Sequence, residues 1–321
     1  MLTVFLCTVL RISTQQIIFA YNPGKLPDVP PMFCLIFYPF AMKRLLLLFV
    51  LCYSTGINAQ GIELGFQVGG SNYIGDLSNN SVSLYMSETH FAIGGFASYH
   101  FGPIVAATLE FNYGTISGRD SNSSDETVRA RNLSFRSYLI DAGLSAEIYI
   151  PGFQPYNLYR PISGFLFVGV GMNAYNPKTV YDGQWVNLQP LGTEGQAAYS
   201  KVTLSIPFGV GMKYAITDGF NLGLRIGARK TFSDYLDDVG GSYVSYPELL
   251  ASNGELAAAL GNRTGEFLNT EPVIVPTGSP RGDGTASDLT FLAMFTVSWN
   301  LSDNGLVGSR GRSKRKTGCY N

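Results

Sequence analysis

The side chains that could do chemistry in this chain are two histidines and a set of charges placed against apolar surroundings. His90 and His100 are the only histidines. They bracket one alternating segment, so they should sit at opposite ends of it, unable to share a metal or to complete one triad with any of the many serines. No Ser/His or His/Asp/Ser set stands out, and the residues call for no cofactor or metal. More informative are Glu63, Glu110, Asp141, Glu147, Lys213, Arg225 and Arg229, each on the polar face of a segment whose other face is apolar. Four acids facing three bases in one narrow interior should pair and hydrogen-bond into a plug, because an unpaired buried charge costs several kcal/mol. That arrangement argues against a general pore; the alternative use of the same carboxylates is a proton or ion path.

The elements that would hold these charges are strands. The clearest runs from Asp288 to Leu301, where Leu289, Phe291, Ala293, Phe295, Val297, Trp299 and Leu301 alternate with Thr290, Leu292, Met294, Thr296, Ser298 and Asn300. Period two is strand periodicity, and the length suits a tilted bilayer crossing of roughly 9–11 residues. Comparable segments are Ile62 to Gly70, Phe91 to Phe101, Ile104 to Thr115, Leu133 to Ile150, Gly164 to Tyr175, Lys201 to Ala215 and Phe220 to Arg229. The connections between them alternate short (Gly102-Pro103, Thr217-Asp218-Gly219) or moderate (Pro151 to Ser163) and long (Ser71 to His90, Ile116 to Asn132, Asn176 to Ser200, Ser233 to Ser287). Short turns at one end and long loops at the other mark an outer-membrane barrel with both termini periplasmic. A soluble barrel would put its larger apolar residues inside. The fold class is therefore all-β: a closed antiparallel transmembrane β-barrel of about eight strands, preceded by a signal peptide. An aromatic girdle at the periplasmic interface should comprise Tyr99, Phe101, Tyr149, Tyr214, Phe220 and Trp299. Within the last long loop, Tyr246 to Leu260 reads as a short helix that could cap the barrel mouth. Asn269 to Ser287 reads as irregular, and its Arg281-Gly282-Asp283 tripeptide as an accidental solvated turn.

Composition agrees: 45% of the 321 residues are hydrophobic and only 14% charged, with 37 Gly, 19 Tyr and 21 Phe, against a usual charged share of about 25%. Residues 1–41 read as an extension preceding the true start at Met42. Lys43-Arg44, the apolar run Leu45 to Leu51 and Ile57-Asn58-Ala59 then form a signal peptide (residues 42–59) cleaved before Gln60. The barrel is assigned to 60–301 and a basic periplasmic tail to 302–321. Cys52 lacks the small preceding residue that lipidation needs, and removal of the signal leaves Cys319 as the one cysteine of the mature chain.

The segment Gly69-Gly70-Ser71-Asn72-Tyr73-Ile74-Gly75-Asp76-Leu77, the Asn58-Ala59-Gln60 signal end and the basic stretch Gly311 to Tyr320 resemble the PorG-type small outer-membrane barrel of the type IX secretion system in Bacteroidetes. The resemblance implies a non-enzymatic component that accompanies or anchors a periplasmic lipoprotein ring. It implies outer-membrane lipid and ring proteins as partners, and no nucleic acid. The partner-binding element is expected in the tail from Ser309 to Asn321, with Arg310, Arg312, Lys314, Arg315 and Lys316 steering it to an acidic surface and Cys319 forming an intermolecular disulfide. A general outer-membrane scaffold, or an adhesin-like surface barrel using the Ser233 to Ser287 loop, is the alternative; a lipid-modifying enzyme ranks last.

Overall fold

The computed structural model describes residues 61–78, 87–153, 161–217, 219–282 and 287–301; the extension, the signal peptide and the tail lie outside them. Ten strands form one sheet: β1 (Gly61–Ile74), β2 (His90–His100), β3 (Val105–Arg119), β4 (Ser134–Ile150), β5 (Ile162–Tyr175), β6 (Lys178–Tyr181), β7 (Gln184–Asn187), β8 (Val202–Ala215), β9 (Phe220–Thr231) and β10 (Leu289–Asn300). Eight of them close a ring in the order β1-β2-β3-β4-β5-β8-β9-β10, each antiparallel to its neighbours, with β10 returning to β1 through Phe66 opposite Val297. Closure matters because lipid cannot satisfy the unpaired N–H and C=O groups of a sheet edge.

Alternation carries through to burial, with the usual sense reversed. On β1, Ile62, Leu64, Phe66 and Val68 face outward, while Glu63 and Gln67 are buried inside. Phe66 is 68% exposed and Leu144 53%, whereas Glu110 and Arg229 are 2% and 1% exposed. A chain that presents Phe and Leu to its surroundings and encloses Glu and Arg is dissolved in hydrocarbon, and this barrel spans a membrane. Among the described residues no helix is long and apolar enough to cross one.

At one end, called here the turn end, lie Gly61, Asn300 and the β2–β3, β4–β5 and β8–β9 connections; at the other, the loop end, lie the four long connections. Tyr99, Phe101, Tyr214 and Trp299 are exposed near the turn end, Tyr99 5.0 Å from Phe101 and Trp299 5.6 Å from the partly buried Phe220. Tyr149 departs from the expected girdle. It shares the parity of Glu147 on β4, so it points into the barrel and is fully buried.

The strands run further at the loop end than their alternation suggests. β3 continues to Arg119, and its ladder with β4 holds from Val105 opposite Ile148 to Arg119 opposite Ser134. The expected loop after β5 contains the β6–β7 hairpin, which extends the sheet from β4 through Arg136 opposite Lys178. The last long loop folds into three short helices rather than one: α2 (Tyr246–Asn253), α3 (Glu255–Gly261) and α4 (Thr264–Leu268), after α1 (Glu126–Arg131) in the β3–β4 connection. Beneath them a second core has formed around Tyr73, Leu77, Ile116, Phe135, Leu236 and Leu260. The loops are thus a folded cap with its own apolar interior.

Candidate functional site

Inward parity brings all seven charged residues together, and His100 joins them. At the turn end Glu63 accepts from Lys213 Nζ at 2.7 Å, from Ser298 Oγ, and lies 2.7 Å from His100 Nε2. Lys213 also donates to Tyr149 Oη at 2.9 Å, and Tyr149 in turn donates to Glu147. Arg225 ties Glu147 to Glu110, its Nε 3.4 Å from Glu110 Oε2, and donates to Ser145 at 2.9 Å. Arg229 then links Glu110 (3.3 Å) to Asp141 (3.2 Å), and Asn112 and Asn173 donate to Asp141 at 2.9 and 3.3 Å. Each carboxylate therefore has a cation.

Aromatic rings fill what the charges leave. Phe165 and Phe167 point inward from β5, and the Arg225 guanidinium lies 3.6 Å from the Phe167 ring centre. The rings fit because Gly209 and Gly211 on β8 and Gly227 on β9 stand opposite them; a Cβ on any of these would overlap a ring. Toward the turn end, Phe153 from the β4–β5 connection stacks on His100 at 5.8 Å and lies 5.6 Å from Tyr149. A residual cavity among Gln67, Glu110, Glu147, Lys213 and Arg225 measures about 10 Å³, the lower limit for one water.

The loop end is closed by the cap, which two arginines tie together, Arg281 buried and Arg131 partly so. Arg131 grips Asp120 through two bonds of 2.8 and 2.7 Å and donates to the carbonyls of Asp76 and Arg281. Arg281 donates to Glu194 Oε1 at 2.9 Å, to the Asp238 carbonyl and to the Gly261 carbonyl. All four long connections are joined in this way. Arg281 is 4% exposed, which corrects the reading of its tripeptide as a solvated turn; Asp283 lies outside the described residues.

The segment from Gly69 to Leu77 roots the cap in the barrel. Ser71 donates to Thr115 O at 2.6 Å, Asn72 to Thr89 at 2.8 Å, and Leu77 is buried in the cap core. A Cβ at Gly75 would collide with the Tyr73 hydroxyl and Asp288. Tyr73 Oη lies 2.7 Å from both Asp237 Oδ2 and Asp288 Oδ1. A hydroxyl has one proton to give, so a second proton must reside on a carboxyl for both contacts to be bonds. Burial pushes Asp288 up to about 8 against the bonds it accepts from Tyr73 and Leu236, helped by Asp234 and Asp76. Burial and then the charge of Asp288 push Asp237 well above the ordinary range.

The structure also assembles one group that sequence spacing concealed. His90 Nε2 lies 2.7 Å from Ser117 Oγ, and Ser117 bonds Glu88. The order differs from nucleophile–base–acid, because Glu88 binds the serine and not the imidazole. Among the described residues no group of His, Cys, Asp or Glu could hold a metal ion.

The chain is similar to three solved barrels. They are the N-terminal β-barrel domain of Pseudomonas aeruginosa OprF (11% identity, 76% of this chain and 100% of that one, TM-score 0.33), Ail of Yersinia pestis with the heparin analogue sucrose octasulfate (7%, 75% and 99%, 0.37), and Neisserial surface protein A (10%, 75% and 97%, 0.37). Likeness at this level adds nothing to the fold, which rests on the closed strand pairing. No curated protein matches the chain. A family described as a domain of unknown function, DUF6089, matches residues 42–255. The chain belongs to that family.

Two outcomes follow for this DUF6089 barrel. Replacing Arg225 with Met leaves Glu147 without its cation and Glu110 with Arg229 alone, and should destabilise the barrel by about 3–5 kcal/mol. Urea titration of the folded band on an unheated detergent gel measures this, and Arg225→Met with Glu147→Gln should recover much of the loss. Asp288 supplies the pH dependence. Its folded pKa lies above its unfolded one, so its contribution to cap stability is complete below about pH 4 and is lost as the pH rises to about 8. Tryptic cleavage in the cap, normalised to a peptide substrate, should accelerate between about pH 5 and about pH 8.5 in wild type and change little in Asp288→Asn. Cleavage that slows with rising pH would contradict the assignment.

Proposed function

We propose that this chain is a non-enzymatic outer-membrane barrel component of the type IX secretion machinery that anchors or accompanies a periplasmic lipoprotein ring. The observation that carries the reading is the filled interior: ion pairs and rings occupy the lumen from Glu63 to Asp141, so the barrel offers partners its surfaces and not a conduit. The Gly69 to Leu77 segment, on which the PorG-type resemblance rests, supports it too. Those residues hold the cap to β1, a role that a family sharing the segment would preserve. In this reading the turn end faces the periplasm, and the tail from Ser309 to Asn321 docks on the ring through its basic residues, with Cys319 bridging to a partner.

The second reading, a surface barrel that binds through its cap, is favoured by exposed Phe267, Leu268 and Ile274. It would not use Arg281, which is committed to Glu194.

Deleting the gene should abolish release of many unrelated cargo proteins. A full-length copy should restore release; a copy truncated before Ser309 should insert normally and fail to restore it. Intact cargo release in the deletion strain would refute the secretion role, and loss of surface attachment alone would favour the second reading. Non-reducing gels should show a high-mass band lost on reduction and in Cys319→Ser.

A further inference from the structure

The outward faces of the barrel strands are apolar except at the loop end. Among the described residues the outward charged positions on these strands are Arg119, Arg136 and Lys230, all basic. Two of them form a cluster with a third cation. Arg136 stands directly opposite Lys178 of β6, and Arg119, opposite Ser134, is the diagonal neighbour of Arg136 across the β3–β4 ladder. Directly opposed side chains on one face have Cβ atoms roughly 5 Å apart, diagonal ones roughly 7–8 Å, and like charges so placed repel. Among the described residues little relieves that repulsion. Arg119 has Glu88 at 3.7 Å, while the side chains of Arg136 and Lys178 make no hydrogen bond or ion pair within the described residues.

Position says what should relieve it. On β4 the outward face below Arg136 is Tyr138, Ile140, Ala142, Leu144, Ala146, Ile148 and then Ile150. At a rise of about 3.4 Å per residue and a tilt of roughly 40°, this run spans roughly 30 Å, about the hydrocarbon thickness. Arg136 lies one outward position beyond it, at headgroup height. On the same face, one outward position further from the apolar band than Lys178, Val180 and Trp185 form an exposed cross-strand pair.

We propose that Arg119, Arg136 and Lys178 form a binding site for the phosphate-bearing headgroup of a lipid in the leaflet at the loop end, its acyl chains lying along the outward faces of β3 and β4. Lipid is the source because the cluster adjoins the lipid-facing band, and phosphate is the chemistry because guanidinium forks match its oxygens. The site is independent of the secretion role.

The test is native mass spectrometry of the refolded full chain in detergent, titrated separately with diphosphoryl lipid A, phosphatidylcholine and inorganic phosphate. Wild type should retain one lipid A molecule in preference to phosphatidylcholine. The Arg119→Gln/Arg136→Gln/Lys178→Gln triple variant should lose roughly tenfold or more of that affinity, and Lys230→Gln, across the barrel on β9, should keep it. If the triple variant lacks the unheated-gel shift of a folded barrel, Arg136→Gln alone should show a loss of roughly threefold. Equal retention of phosphatidylcholine, undiminished lipid A binding in the variant, or equally tight binding of inorganic phosphate would each overturn the proposal.

Discussion

An eight-stranded barrel encloses space only for its own side chains, and in a membrane whatever lines that space has no bulk water to satisfy it. Everything else in this protein follows from how the constraint is met. The interior is ionic, and it is affordable because the charges are linked in series: Glu63 to Lys213 through Tyr149 to Glu147, then Arg225, Glu110, Arg229 and Asp141. Rings of Phe165, Phe167 and Phe153 fill the gaps and close the turn end. With the lumen occupied, function is left to the two ends and the outer wall.

The ends differ in kind. The turn end is short and aromatic, while the loop end carries a cap with its own apolar core, held by Arg131 and Arg281 and rooted at Tyr73. A carboxyl pair sharing a proton with Tyr73 at that root makes the joint between barrel and cap sensitive to pH, whereas the ionic lumen below is held by pairs of opposite sign.

Much of this was legible in the sequence, because lipid on the outside makes parity visible: each strand with an apolar face declared which charges turn inward. Legibility failed where both faces look alike. On β5, Phe165 and Phe167 alternate with Leu166 and Val168, and the clue was the glycines opposite them at 209, 211 and 227. The β6–β7 hairpin had a readable signal, Asp182-Gly183, both in the left-handed region as two-residue hairpins require, but its strands are only four residues each. At Tyr149 parity with Glu147 outweighs aromatic character, and the ring turns inward. Helix in the cap is legible over Tyr246 to Leu260, but the ties that close the cap are not, since Arg131 and Arg281 meet across 150 positions of chain. The contact of His90 with Ser117 likewise spans 27 positions of chain and is not set by spacing.

The central claim is that the lumen is filled by its own ion pairs and rings. Single-channel recording of the refolded wild type in planar bilayers tests it most directly. A protein that inserts, shows the gel shift of a folded barrel and gives no steady conductance is the predicted result. A stable ohmic conductance from the folded wild type would contradict it.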